Sequence, residues 1–300
     1  MPITSANAKD TQWLVYDRPD MRDSDCNKVF IKRVMHPAPR AYHVWYEPGY
    51  VYPRHSHPVD EIFYVLRGEF TINGHHLREG SMLFVPKHTQ YGPEYTGRDG
   101  VLFVRVELWD TEANPHREQA ASSNLKPWTG GVSADGLPRV DGMKAKPVPA
   151  AQRSADKAEG TRSVSAHDQQ WRATLDKLPD GREETVICNR SLMAPFPSVN
   201  QVLHRVGFQQ PMHQHGVDEC FVFLRGELQA AEHRLTPGSV YFVPKNHPYG
   251  PLNRGPEHAV YLRIVLQDSS AARERVTMAK MPEPWTGDLT KDGLPSLAAL

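Results

Sequence analysis

The chain has 300 residues, which is enough for two domains of ordinary size. Its 35 basic and 35 acidic residues give a formal charge of zero, so no overall positive field attracts nucleic acid or an anionic membrane. The apolar fraction of 39% excludes a wholly disordered chain, and no apolar run approaches the roughly 18 residues that span a bilayer.

The cysteines and the first residues indicate the compartment. Cys26, Cys188 and Cys220 are odd in number and lack C-x-x-C spacing, which fits a reducing environment better than a disulfide framework. The segment from Met1 to Trp13 has neither the basic nor the apolar region of a secretory signal. We therefore expect a cytoplasmic protein whose partner is a small-molecule substrate, with no nucleic-acid or membrane partner. A homo-oligomer is compatible with this composition.

The chain contains two copies of one module. With a shift of 158 residues and no gap, 23 of the 45 positions from Gly49 to Pro93 are identical to 207–251. Average residue usage predicts about 3 such identities. Between the copies lies a stretch rich in Ala, Pro, Ser and charged residues, which is typical of a surface linker; the alternative is an arm that packs across both domains. The predicted divisions are an N-terminal domain at 1–138, a linker at 139–166 and a C-terminal domain at 167–300.

Both copies have the pattern of short β-strands. The segments AYHVWYEPG, EIFYVLRGEFTING and GVLFVRVELW of the first copy are rich in β-branched and aromatic residues and are bounded by Gly or Pro. The second copy has CFVFLRGELQA, SVYFVPK and AVYLRIVLQ in the corresponding places. Asn73-Gly74 is a strong hairpin signal. We predict an all-β protein made of two antiparallel barrels of jelly-roll type.

A repeated constellation indicates a metal site. The spacing G-x5-H-x-H-x3-E-x6-G occurs in both copies, and its side chains with metal-ligand chemistry are His55, His57, Glu61, His213, His215 and Glu219. Histidines at positions i and i+2 of a strand point to the same face, so both imidazoles of a copy can enter a barrel. One His-x-His pair is a weak signal, whereas two copies with identical spacing to a glutamate are a strong one.

This spacing resembles the first sequence motif of the cupin superfamily at every position in both copies. The resemblance covers roughly 30–110 and 188–268 and implies a bicupin. It therefore implies a double-stranded β-helix barrel in each half, with one divalent metal near the centre of each barrel.

The second cupin motif is matched only in part. His88 and Asn246 replace its second glycine, and Tyr91 and Tyr249 occupy the position of the usual fourth-ligand histidine. Two interpretations of the tyrosines are open. Each tyrosine binds the metal as a phenolate, or each is a hydrogen-bond donor beside the ligands while water fills the open position.

Further repeated residues have weaker signals. Arg105 and Arg263 lie in the middle of apolar strands, where they either face inward to hold a substrate carboxylate or sit on the outer face in a cross-sheet pair. We favour the outer face. His75 and His233 follow a turn, and we expect them to face solvent.

The protein-derived minimum of two histidines and one carboxylate is the ligand set of non-haem Fe(II) oxygenases. The leading hypothesis is therefore an Fe(II) dioxygenase acting on a small organic molecule, with Zn, Ni and Mn as alternative metals. The second hypothesis is a redox-neutral lyase, isomerase or hydrolase that uses the metal as a Lewis acid. The third is a non-catalytic, ligand-binding bicupin.

Overall fold

A computed structural model of the protein describes residues 2–17, 28–36, 39–108, 125–140, 157–177, 180–267 and 282–298. Short 3-10 helices lie at Ala8–Asp10 and Ala166–Asp168. Among the described residues, no helix is long and apolar enough to cross a membrane. The strands in chain order are β1 (Thr4–Asn7), β2 (Leu14–Asp17), β3 (Lys28–Met35), β4 (Ala41–Tyr46), β5 (Val51–Tyr52), β6 (Asp60–Ile72), β7 (His75–Arg78), β8 (Ser81–Val85), β9 (Glu94–Leu108), β10 (Lys126–Pro127), β11 (Arg162–Ser165), β12 (Arg172–Lys177), β13 (Glu183–Met193), β14 (Val199–His204), β15 (Glu219–Arg225), β16 (Leu228–Ala230), β17 (His233–Leu235), β18 (Ser239–Val243), β19 (Ala259–Val265) and β20 (Glu283–Pro284).

The chain forms two compact units. The first, called here the N-terminal barrel, is Ala8–Ser165, and the second, the C-terminal barrel, is Met1–Asn7 together with Ala166–Leu300. This division differs from the expected one at two places, because β11 pairs with β8 of the N-terminal barrel and β1 pairs with β18 of the C-terminal barrel. Most of the expected linker, 141–156, lies outside the described residues.

The N-terminal barrel is built on a ten-stranded antiparallel sheet. The strand order is β10-β2-β3-β4-β9-β6-β8-β11, with β5 pairing to β9 and β7 pairing to β6. The long strands β6 and β9 bend at register shifts near Val65 and Gly68, which lets one sheet curve around its own inner face. Gly68 has a φ of +76°, and a Cβ there would lie 2.1 Å from the carbonyl oxygen of Gly100. Only glycine fits at this crossing of two backbones.

The C-terminal barrel repeats this plan. Its eight-stranded sheet has the order β1-β18-β15-β19-β14-β13-β12-β20, and the hairpin β16-β17 lies apart from it. The prediction of an all-β fold with two jelly-roll domains is therefore confirmed.

Apolar residues with a two-residue period fill the inside of each barrel. The N-terminal core includes Phe63, Val65 and Phe103, and the C-terminal core includes Phe221 and Phe223. Because alternate residues of a strand face the same side, the polar residues in phase with these apolar ones also point inward. The candidate site consists of such residues.

Candidate metal centre

Each His-x-His pair is held beside the tyrosine of its own repeat. The backbones of His55 and Tyr91 exchange two hydrogen bonds of 2.9 Å, and those of His213 and Tyr249 exchange bonds of 3.0 and 2.9 Å. These bridges fix the ring of each first histidine against the tyrosine ring, with centroids 4.3 Å apart in both barrels.

The departure from the second glycine of the motif leaves the backbone geometry intact. His88 has a φ of +63° and Asn246 a φ of +61°, in the left-handed region that His and Asn enter more readily than most residues. The backbone N–H groups of His88 and Asn246 donate to the carbonyls of His57 and His215 at 2.6 Å. The turn that carries the second histidine is therefore pinned without a glycine.

The first histidine of each pair has its tautomer set by the backbone. His55 Nδ1 lies 2.9 Å from the carbonyl oxygen of Pro53, and His213 Nδ1 lies 2.8 Å from that of Pro211. Because a carbonyl only accepts, the Nδ1 atom is the protonated one and Nε2 keeps its lone pair. Metal-binding histidines are commonly oriented in this way.

The second histidine of each pair is held neutral. Burial, helped by the positive charge of Arg105, lowers the pKa of His57 to about 2. Burial also lowers the pKa of His215 below its usual value. Neutral imidazole is the form that binds metals.

The glutamate at the floor of the N-terminal site is fully buried and is held by one hydrogen bond and one ion pair. The hydroxyl of Tyr91 donates to Glu61 Oε2 at 3.1 Å, and Arg105 Nε lies 3.2 Å from Glu61 Oε1. Burial raises the pKa of Glu61 to about 7, although Arg105 opposes the shift. Burial and the neighbouring Glu61 raise the pKa of Tyr91 well above its usual value, so the hydroxyl keeps its proton.

The C-terminal site has the same arrangement. The hydroxyl of Tyr249 donates to Glu219 Oε2 at 2.9 Å, and Arg263 Nη2 donates to Glu219 Oε1. In both barrels the tyrosine is thus a donor to the carboxylate, and its role toward a metal stays a prediction.

The residues of each site fit a divalent metal in chemistry and orientation, although their ligand atoms are not yet at coordination distance from one common point. His57 Nε2 lies 4.0 Å from Glu61 Oε2, and the matching distance from His215 to Glu219 is 3.9 Å. Adjacent ligands with bonds of about 2.0–2.2 Å to one ion lie roughly 3 Å apart, so this gap is about 1 Å too wide. Within the described part of the chain, no group of three or more His, Cys, Asp or Glu side chains is already assembled for a metal. Binding therefore requires the ligands to draw together.

The preference for the outer face was wrong for both arginines. Arg105 pairs with the inward-facing Glu61 and lines the cavity of the N-terminal barrel, and Arg263 holds Glu219 in the same way. Residue parity along β9 and β19 places them on the inner face with Phe103 and Tyr261. The carboxylate that each guanidinium holds is the protein's own.

The expectation of a solvent-facing His75 was also wrong. Its side chain is buried, with Nδ1 2.8 Å from Ser163 Oγ and Nε2 2.9 Å from Thr161 Oγ1. β11 and the residues before it cover this histidine. The ring of His233 is likewise only partly exposed, because its Nδ1 lies 2.8 Å from Ser5 Oγ.

Sequence reasoning missed Glu94. This carboxylate is 1% exposed and lines the cavity, with Oε1 3.8 Å from His55 Nε2. The repeat places Leu252 at the equivalent position of the C-terminal barrel. The difference between the copies was the available signal, because among the described residues an acid faces the first histidine only in the N-terminal barrel.

The surroundings of the two arginines differ as well. Arg105 Nη2 lies 3.0 Å from Glu107 Oε1, and Glu107 in turn pairs with Arg40 at 3.0 Å. Val265 takes the place of Glu107 in the C-terminal barrel, so Glu219 is the carboxylate partner of Arg263 among the described residues.

Comparison with known protein families gives one match within the N-terminal barrel. Residues 42–107 match the family described as Cupin domain. No curated protein matches the chain significantly.

Solved structures share the fold at low sequence identity. A candidate dioxygenase from Nostoc punctiforme has 12% identity and a TM-score of 0.56, with 93% of this chain and 87% of that chain covered. Oxalate decarboxylase from Bacillus subtilis has 13% identity and a TM-score of 0.57, with 88% and 76% covered. A candidate glyoxylate-induced protein from Pseudomonas aeruginosa has 16% identity and a TM-score of 0.51, with 89% and 91% covered. Another structure of the Bacillus enzyme is described for its Mn(II) centres. At these identities the likeness concerns the fold.

Proposed function

We propose, from the premise that this chain is a two-domain member of the cupin superfamily, that it is a metal-dependent enzyme acting on a small organic molecule in its N-terminal barrel. The observation that carries the proposal is a pair of oriented imidazoles, His55 and His57, at a cavity of about 220 Å³. Glu61 lies buried beside them. Such a concave, largely apolar space with a few converging polar groups is typical of small-molecule sites.

His55 and His57 would hold the metal through Nε2, and Glu61 would supply the negative charge that offsets the cation. A divalent ion with open positions supplies Lewis acidity and, if it is redox-active, a route for electrons to O2. Burial of Glu61 keeps water away from the floor of the site. A cation bound beside Glu61 would interact with the carboxylate at low dielectric, where the attraction between opposite charges is strong.

Tyr91 and Arg105 are positioning residues in this proposal. Tyr91 donates to Glu61 Oε2, and Arg105 approaches Glu61 Oε1, so the carboxylate plane is fixed before any metal arrives. Arg105 is itself tethered by Glu107. This chain of contacts keeps Glu61 within reach of His57 and limits its rotation.

The reaction class we favour is that of a non-haem Fe(II) dioxygenase. Two histidines and one carboxylate leave positions for O2 and substrate on an iron ion. Likeness of fold to a candidate dioxygenase is compatible with this class and does not select it.

A redox-neutral lyase is the second candidate, and Glu94 is the observation that favours it. A lyase needs a group that moves a proton beside the metal, and Glu94 lies in the cavity 3.8 Å from His55 Nε2. The likeness of fold to a decarboxylase is compatible with this alternative. Mn, Zn or Ni would serve such chemistry as well as iron.

The experiment is anaerobic loading with Fe(II), addition of nitric oxide and EPR, followed by turnover assays with small carboxylic acids. We expect a nitrosyl–iron signal from spin 3/2 and O2 uptake that matches product formation. His55→Ala should abolish turnover, whereas His213→Ala, its counterpart in the C-terminal barrel, should leave turnover largely intact.

The other results are equally informative. Turnover without O2 consumption would identify the lyase class. Ligand binding with no turnover under any metal would show a non-catalytic bicupin. Equal loss of turnover in both histidine variants would contradict the assignment of chemistry to the N-terminal barrel.

A further inference from the structure

A row of side chains crosses the inner face of the N-terminal barrel above the candidate metal centre. Backbone register pairs Arg33 with Tyr42, Tyr42 with Arg105, and Arg105 with Phe63. All four side chains line the cavity of about 220 Å³. Two guanidinium groups and a phenol hydroxyl therefore stand side by side in one concave space.

The two arginines of this row have different partners. Arg105 is occupied by Glu61 and Glu107. Arg33 is only partly exposed and has no carboxylate within ion-pair distance among the described residues. A guanidinium that lines a cavity and has no protein anion beside it is available to a carboxylate from outside, which it can bind in a bidentate manner.

Tyr42 supplies an independent second observation. Its side chain is 5% exposed, and its hydroxyl has no hydrogen-bond partner among the described residues. Buried hydroxyls are nearly always satisfied, so one that lines a cavity and has no protein partner there is available to a ligand. Burial raises the pKa of Tyr42 above its usual range, so the hydroxyl remains a donor.

The rest of the cavity wall is aromatic. Tyr46 stacks with Tyr52 at 5.9 Å and meets Phe103 edge-on at 5.2 Å, and the ring of Tyr52 lies 4.5 Å from that of His55. These rings connect the candidate metal ligands to the space beside Arg33. They offer a planar or apolar body favourable stacking and edge contacts.

The C-terminal barrel is a built-in comparison, because the same row there is Ser191, Asn200, Arg263 and Phe221. The arginine that holds the buried glutamate is retained, whereas Arg33 and Tyr42 are replaced by small neutral residues. Tyr46 and Tyr52 likewise correspond to His204 and Gln210. The groups that would touch an anion or an aromatic body are therefore among those that differ between the two barrels, together with Glu94 and Glu107.

We infer that the N-terminal barrel selects a small carboxylate with a planar, apolar body, whose carboxylate binds between Arg33 and Tyr42 and whose body lies against Tyr46 and Tyr52. The cavity is smaller than the roughly 300–1,000 Å³ of drug-sized pockets, so the ligand is about the size of one ring with one acid group. This inference rests on the proposed function, since it names the substrate class of that site. The C-terminal barrel does not bind this class.

The test is calorimetric titration of the full-length, metal-free protein with benzoate, its neutral counterpart benzamide, and inorganic phosphate. We expect one benzoate per chain and at least tenfold weaker binding of benzamide, because hydrogen bonds from a guanidinium to a carboxylate are about twice as strong as those to a neutral amide. Phosphate should bind at least tenfold more weakly than benzoate, since it has no body to meet the aromatic wall.

Variants locate the site. Arg33→Ser with Tyr42→Asn, which copies the C-terminal barrel, should weaken benzoate binding at least tenfold, and the single variant Arg33→Gln should also weaken it. Arg139→Ser is the matched control, because it removes one exposed arginine of the same barrel outside the cavity. The thermal unfolding of each variant shows whether it is folded. If the double variant unfolds, Arg33→Gln decides the question.

Several results would overturn the inference: unchanged benzoate affinity in the folded Arg33 variants, equal binding of benzamide or phosphate, or two benzoates per chain. The outcome is separable from that of the proposed function, because the titration uses no metal and no turnover. A protein that binds benzoate and never binds metal retains the carboxylate site and loses the enzyme proposal. A protein that binds metal but not benzoate retains the enzyme proposal and loses the carboxylate site.

Discussion

The buried glutamates allow a quantitative comparison between the two barrels. Glutamine has nearly the size of glutamate and still accepts the tyrosine hydrogen bond, so at a pH above about 8, where Glu61 is ionised, Glu61→Gln and Glu219→Gln each remove mainly one negative charge. In the C-terminal barrel this leaves Arg263, whose side chain is 18% exposed, without its carboxylate. In the N-terminal barrel Arg105 keeps Glu107 at 3.0 Å.

The expected magnitudes follow from that difference. Removing one partner of a buried ion pair costs about 3–5 kcal/mol, because the other charge remains buried. We expect Glu219→Gln to lose this amount, which lowers the midpoint of thermal unfolding by roughly 6–20 °C at about 2–4 °C per kcal/mol. The loss for Glu61→Gln should be smaller by at least about 2 kcal/mol, since Glu107 remains beside the arginine.

Chemical and thermal unfolding of the metal-free protein measure both losses. Val265→Glu in the Glu219→Gln background is the rescue, because it places a carboxylate where the N-terminal barrel has Glu107. It should recover at least half of the lost stability. Equal losses for the two glutamine variants, or no recovery with Val265→Glu, would refute the assignment of these glutamates as ion-pair partners of the inward arginines.

Three further predictions test other parts of the account. Burial lowers the pKa of His43 to about 4 from 6.5, so the folded state resists protonation of this side chain. The free energy of unfolding should therefore fall by up to about 3 kcal/mol as the pH falls from 6.5 to 4. His43→Gln, which copies Gln201, should flatten this pH dependence in urea unfolding curves. Glu94→Leu should lower turnover at least tenfold and leave the unfolding midpoint within a few degrees, and unchanged turnover would exclude Glu94 from the site. The ferric protein should lack a phenolate-to-iron charge-transfer band, since the hydroxyl of Tyr91 is engaged with a carboxylate, and a band that disappears in Tyr91→Phe would show direct ligation instead.

The repeat and the two-residue period were enough to predict the main strands of both barrels. The prediction that His55 and His57 lie side by side on a strand was wrong about the strand, since His55 forms only an isolated bridge and His57 lies in the loop after it, although their rings are 5.0 Å apart. The same period also places Arg105 in phase with Phe103, and that information was available from the sequence. The preference for the outer face gave too much weight to the cost of burying a charge, because the sequence does not show that Glu61 lies opposite the guanidinium.

Other features depend on contacts between segments distant in sequence. His75 is buried because Ser163 and Thr161, nearly ninety residues away, cover its ring. Glu94 and Arg33 are exceptional only once the fold brings them to one cavity, since each is an ordinary charged residue in its own segment. Comparing the copies position by position would have marked both, because Leu252 and Ser191 stand in the other repeat.

The central claim is a metal bound by the two histidines of each repeat, with catalysis in the N-terminal barrel. Its most direct test is elemental analysis of protein loaded anaerobically with Fe(II) and freed of loose metal. We predict close to two ions per chain for the wild type and close to one for His55→Ala/His57→Ala and for His213→Ala/His215→Ala. Less than a tenth of an ion per chain in the wild type, or unchanged content in either variant, would contradict the claim.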